Sequence, residues 1–136
     1  MKNKKMLIML VVVIVVVAAA AVFVVPKFMG EKEDVIEEFY YPISDYFVVN
    51  VKDGNGMLFK TTVVLVHTDE DMAEVIKANE YAVRDTLLFL FRSLDKQDIQ
   101  DQGIQERLRQ EIPAMLNELL GVDNFTSVLF GDFVMQ

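Results

Sequence analysis

The chain has 136 residues, 53% of them hydrophobic, with 13 basic and 21 acidic side chains and a formal net charge of −8. That excess of negative charge repels nucleic acid and anionic lipid surfaces, so neither is an expected partner. Cysteine is absent, which excludes disulfides, thiol chemistry and zinc–thiolate sites.

Met6–Val25 runs for 20 residues without a charge, amide, hydroxyl or proline, and 14 of the 20 are Leu, Ile, Val or Phe. A helix of that length reaches about 30 Å, the thickness of a bilayer's hydrocarbon core. At roughly 0.3–0.6 kcal/mol per large apolar residue, insertion gains about 4–8 kcal/mol. The run therefore reads as a transmembrane helix. Lys2, Lys4 and Lys5 precede it, while Glu31, Glu33 and Asp34 outnumber Lys27 and Lys32 behind it. The basic flank stays in the cytoplasm, so residues 1–5 are expected inside and everything after Val25 outside, in the periplasm of a bacterium with two membranes. The competing reading is a cleaved signal peptide with Ala18–Ala21 at the cleavage site. Val22-Phe23-Val24-Val25 continues the apolar run past the alanines and favours a retained anchor.

Residues 26–38 read as a short linker, at most about 45 Å when extended, that keeps the following domain near the bilayer. Residues 39–136 are enough for one small domain. A strand is expected from about Ile43 to Val51, with Pro42 marking its start or an edge. Lys52–Gly56 contains Asp53-Gly54 and Asn55-Gly56, strong hairpin-turn dipeptides, and Met57–His67 returns as the second strand. Thr68 and Asp71 resemble a capping box, which predicts a helix from Asp69 to about Ala78. A second helix follows over Asn79–Leu94, where Ala82, Val83, Leu87, Leu90, Phe91 and Leu94 recur at helical spacing. Asp95–Gly103 reads as a polar connection. Ile104, Leu108, Ile112, Met115, Leu116 and Leu119 trace a further helix ending at Gly121, with Pro113 predicting a kink or a stepped start. Thr126–Met135 carries apolar residues on both parities and reads as a strand buried on both faces or paired centrally. The fold class is α+β: one transmembrane helix, then a β-β-α-α-α-β domain.

Little in the chain points to chemistry. His67 is the only histidine and has no evident nucleophile or carboxylate companions. Asp69-Glu70-Asp71 lacks the calcium-loop pattern and reads as a helix start favoured by the dipole. Gly54-Asn55-Gly56 is a turn rather than a phosphate loop, and Asn124-Phe125-Thr126 matches a glycosylation sequon by chance. No cofactor, metal or enzymatic activity is expected. Two groups are candidate partner or subunit contacts. Phe39, Tyr40 and Tyr41 either pack on the domain's own edge, anchor at the bilayer interface or meet a partner. Arg84 and Asp85 read as a surface pair on an otherwise apolar-faced helix, and as neighbours they address different surroundings.

Taken in order, several pieces resemble the FliL family of flagellar basal-body-associated membrane proteins. These are the Lys-led anchor, Phe47-Val48-Val49-Asn50-Val51, Val83-Arg84-Asp85, the run Gly103…Leu108…Glu111-Ile112…Leu116-Asn117, and the closing Val128–Gln136. The chain departs from the family in its short linker and in Asn79, near where the family often has proline. The resemblance implies a stomatin/prohibitin-like periplasmic domain that assembles into a homo-oligomeric ring around the flagellar stator units. It also implies that Arg84 and Asp85 belong to a subunit contact, and that the ring supports torque generation, swimming or swarming. The alternative is a membrane-anchored extracytoplasmic sensor or small-ligand-binding module.

Overall fold

The computed structural model describes residues 2–28 and 34–136; residues 29–33 of the predicted linker lie outside the described residues. Helix α1 spans Lys2–Phe28, beyond both ends of the apolar run, and continues through Pro26. Within it, Lys2–Ala21 is long and apolar enough to cross a membrane, with a mean hydropathy of 2.5.

Residues 36–136 form a separate α+β unit. Its strands are β1 (Phe39–Pro42), β2 (Phe47–Asn50), β3 (Leu58–His67) and β4 (Phe125–Met135). Its helices are α2 (Met72–Ala78), α3 (Glu80–Ser93), α4 (Lys96–Gln100) and α5 (Ile104–Leu120). All four strands join one antiparallel sheet through β3. One edge of β3 pairs with β1 near His67 and with β2 near Leu58, and the other pairs with β4.

The alternating residues Phe59, Thr61, Val63, Leu65 and His67 of β3 are buried. Helices α3 and α5 supply the opposing apolar stripe, including Val83, Leu87 and Phe91 from one and Leu108, Ile112 and Leu116 from the other. Phe91 meets Phe47 and Phe59 edge-on, at centroid distances of 5.2 and 5.8 Å.

The hairpin forms where Asp53–Gly56 predicts it, but its glycines divide the work differently. Positive φ falls on Asp53, Asn55 and Gly56. Gly54 is needed for space, because a Cβ there would lie 2.7 Å from Val51 Cβ.

Other expectations are corrected. Of the strand predicted from Ile43 to Val51 only Phe47–Asn50 forms, as β2; a separate strand, β1, lies ahead of Ile43, and Asp45, with φ 64°, takes the chain out of the ladder between the two. Phe39–Tyr41 thus belong to a strand ahead of Pro42. The Thr68–Asp71 capping box does not form: Thr68 N–H is held by Asn124 O at 3.0 Å, and α2 starts three residues later than predicted, at Met72. A reciprocal capping box does form between Asp95 and Asp98, starting α4 inside the segment read as a connection. Five residues are too few for hydrophobic periodicity to reveal. Helix α5 carries Pro113 within it rather than starting at it, and Gly121, with φ 64°, is its left-handed C-cap.

Strand β4 is an edge strand, not a central one. Among the described residues it pairs with β3 alone, and it leaves Leu129 and Val134 exposed. Between Thr61↔Phe133 and Val63↔Phe130 it carries one extra residue, a β-bulge. Two hydroxyls stabilise that bulge: Thr61 donates to Asp132 O at 2.6 Å, and Thr62 Oγ1 accepts from Asp132 N–H at 2.9 Å. Any side chain on Gly131 would overlap Thr62 Oγ1. Gly131→Ala is therefore expected to destabilise the protein by about 1–3 kcal/mol. Denaturant unfolding of the full chain in detergent checks this; an unchanged midpoint would contradict the bulge geometry.

Candidate functional site

Between β1 and β2 the chain keeps its direction along β3 but bulges out of the ladder, with residues 43–46 opposite only two residues of β3, so the carbonyls of Ser44 and Tyr46 have no backbone partner among the described residues. Arg84, on α3, supplies the missing donors. Its guanidinium donates to Ser44 O and Tyr46 O, both at 2.7 Å, and lies 4.5 Å from the centre of the Phe47 ring. Arginine suits this position because its planar fork serves two acceptors while its flat face rests on an aromatic ring. Its guanidinium is thereby committed to its own chain. Asp85, the next residue, is exposed on the neighbouring face of α3.

That face borders an open groove of about 810 Å³ lined by Val48, Asn50 and Lys52 on one side and by Asp85, Phe89 and Arg92 on the other. One wall is the free edge of β2. Val51 N–H turns inward to Met57 O and Lys52 N–H turns outward to Leu94 O. The alternation of an antiparallel strand then aims the N–H and C=O of Val48 and Asn50 away from β3. These groups have no backbone partner among the described residues. The edge is closed at one end by Arg84 on Tyr46 O and at the other by Leu94 O on Lys52 N–H, leaving a short open window between.

The other wall, α3, exposes Phe89 by 77% and Tyr81 by 93%. Hydrophobic periodicity passes over both because they lie off the stripe that marks the core. The signal that would have found them is the spacing Tyr81, Asp85, Phe89: two aromatics four residues either side of an acid, on the polar face of an amphipathic helix.

The predicted aromatic trio lies elsewhere. Phe39, Tyr40 and Tyr41 pair with His67, Val66 and Leu65, at the end of β3 remote from the groove. Phe39 stacks on His67 at 5.8 Å, Tyr41 packs against the core, and Tyr40 is exposed. The structure thus brings Asp85 to the groove, turns Arg84 to the chain between β1 and β2, and keeps the trio apart from both. His67 is buried, with Nδ1 2.9 Å from Asp69 O. One Asp69 carboxylate oxygen accepts from Asp71 N–H and the other from the Asn124 amide. Among the described residues no cluster of three His, Asp or Glu side chains could hold a metal.

The Tyr40 hydroxyl donates to the Glu38 carboxylate at 3.2 Å. This hydrogen bond, then the negative charge of Glu38 and a lesser desolvation, raises the phenol above its ordinary 10.0. A raised phenol favours the neutral form in the folded state, so its contribution is complete below pH ~10 and is lost as pH climbs through the raised value. In an ultraviolet titration of phenolate formation, Glu38→Gln should move one tyrosine to lower pH; an unchanged curve would contradict the pairing. Arg84→Ala should cost about 1–3 kcal/mol by stranding two carbonyls and uncovering Phe47. Arg84→Lys should recover less than half of that. Equal stability of the lysine variant and the native protein in thermal unfolding would overturn the fork geometry.

The model of the family described as flagellar basal body-associated protein FliL matches residues 40–136, from within β1 to the end of β4. No curated protein matches the chain. The family match covers well over half of the sequence and takes in all of the sheet but Phe39, with the α3 face and the groove, and on that ground the chain belongs to the FliL family of flagellar basal body-associated proteins.

Proposed function

We propose that the protein is a non-enzymatic accessory of the bacterial flagellar motor that assembles into a periplasmic ring and supports the ion-driven stator units. The observation that carries this reading is the family match over residues 40–136 on a chain whose α1 is apolar enough to span a bilayer. In this reading α1 is retained in the inner membrane with residues 1–5 in the cytoplasm. Residues 26–38, of which the first three continue α1, link the apolar run to a stomatin/prohibitin-like domain over residues 39–136 in the periplasm. Confinement to the membrane plane raises the effective concentration of copies, so side-to-side contacts too weak to persist in solution can close a ring. The ring holds the stator in its active state for swimming or swarming. Asp85, and the exposed Tyr40 with the half-buried Phe39 and Tyr41 beside it at the other end of β3, are candidate surfaces for such contacts.

Deleting the gene should impair swimming or swarming while filaments still assemble, and a tagged copy should localise to basal bodies. Normal motility in liquid and on surfaces, together with a tagged copy spread evenly over the membrane, would overturn the proposal.

A further inference from the structure

The free edge of β2 and the groove it shares with α3 have the form of a strand-addition site, in which an extended segment pairs with an edge strand and is flanked by a helix. We infer that its occupant is the segment 34–38 of a second copy of this chain, Asp34-Val35-Ile36-Glu37-Glu38, and that this exchange is the contact through which copies join head to tail. The inference rests on the self-assembly proposed above and names the surfaces that carry it.

Four observations support it. The window offers the outward N–H and C=O groups of Val48 and Asn50, and its neighbour Lys52 already spends its outward N–H on Leu94 O, so this edge accepts backbone partners. Residues 34–38 are outside any helix or strand, and Val35 and Ile36 are 91% and 69% exposed, two large apolar side chains without cover. Charge is complementary. The segment carries Asp34, Glu37 and Glu38, and the groove carries Lys52 and Arg92 against the single acid Asp85. Residues 36–136 hold 8 basic and 18 acidic side chains, a net 8 − 18 = −10, so a cationic groove is where two copies meet with least repulsion.

The fourth observation is reach. Glu38 joins β1 directly, and Phe39 pairs with His67, whereas β2 pairs with Thr61 to Leu58. The separation along β3 is six to nine residues, about 20–30 Å. Five residues span at most about 18 Å. The segment therefore cannot lie along its own β2, and the occupant comes from another copy. Donor segment and acceptor groove are different surfaces, so the contact is heterologous, and repetition closes into a ring or continues as a filament.

A photo-crosslinking phenylalanine analogue at position 36 of the full-length protein, in native membranes, tests this whatever register the added strand adopts. The expected result is a covalent dimer and higher multimers, with adducts on Val48–Asn50 or Leu88–Arg92. Asn50→Pro removes one outward N–H and leaves the β3 ladder intact, and it should abolish those products. Arg92→Glu should weaken them, and Glu37→Arg in the same chain should restore them. Native-like thermal unfolding of each variant separates lost docking from lost folding. Adducts confined to other surfaces, while the native protein still forms multimers under a general amine crosslinker, would overturn this inference and leave self-assembly standing. A native protein that remains monomeric in the membrane would overturn both.

Discussion

The buried row of β3 is the constraint on which the rest of the domain depends. Phe59, Thr61, Val63, Leu65 and His67 form the sheet's side of the core, and every other strand is placed by pairing with β3. Because β3 has ten residues while β1 and β2 have four each, two short strands share one of its edges end to end. That arrangement opens a gap in the sheet between Pro42 and Phe47, and Arg84 spans it. A basic side chain at the rim of an apolar core is stable there because two carbonyls and an aromatic face compensate for its lost hydration.

The same geometry creates the groove. Had the chain continued from β1 to β2 without leaving the ladder, a single continuous edge would face solvent. The turn at Asp45 instead leaves β2 short, with its edge closed by Arg84 at one end and by the Leu94 carbonyl at the other. Natural sheets shorten or cover their edges to avoid indiscriminate pairing. A short window bordered by Phe89, Lys52 and Arg92 is selective in the same sense, since it admits a few residues of suitable charge and not an arbitrary strand. Strand β4, the other exposed edge, is interrupted by the bulge at Gly131 and Asp132, which the hydroxyls of Thr61 and Thr62 hold in place.

Much of the fold is legible in the residues. The apolar α1, the turn at Asp53–Gly56, the stripes of α3 and α5, and the cap at Gly121 all depend on local periodicity or on the backbone preferences of single residues. Such signals survive in a linear reading. The failures share a cause as well. Thr68 reads as a helix cap, but sheet pairing beyond His67 draws its N–H to Asn124. The alternation of Ile43, Asp45 and Phe47 reads as unbroken strand, although residues 43–46 stand opposite only two residues of β3 and the chain leaves the ladder at Asp45. The apolar residues of β4 suggest a central strand, yet no further strand among the described residues takes its outer edge. In each case a partner distant in sequence decides the outcome.

By itself the sequence determined the class of the protein: an apolar helix, an acidic α+β domain without cysteine, and an ordered set of motifs that names the family. Hydrophobic spacing and turn chemistry act over a few residues, and so they can be read directly. Only the tertiary structure decided that Arg84 turns inward as a clamp while Asp85, beside it, faces a groove. Only the tertiary structure decided that Tyr81 and Phe89 stand uncovered. Those outcomes depend on which edges β3 leaves unpaired, a property of long-range pairing that no local pattern encodes.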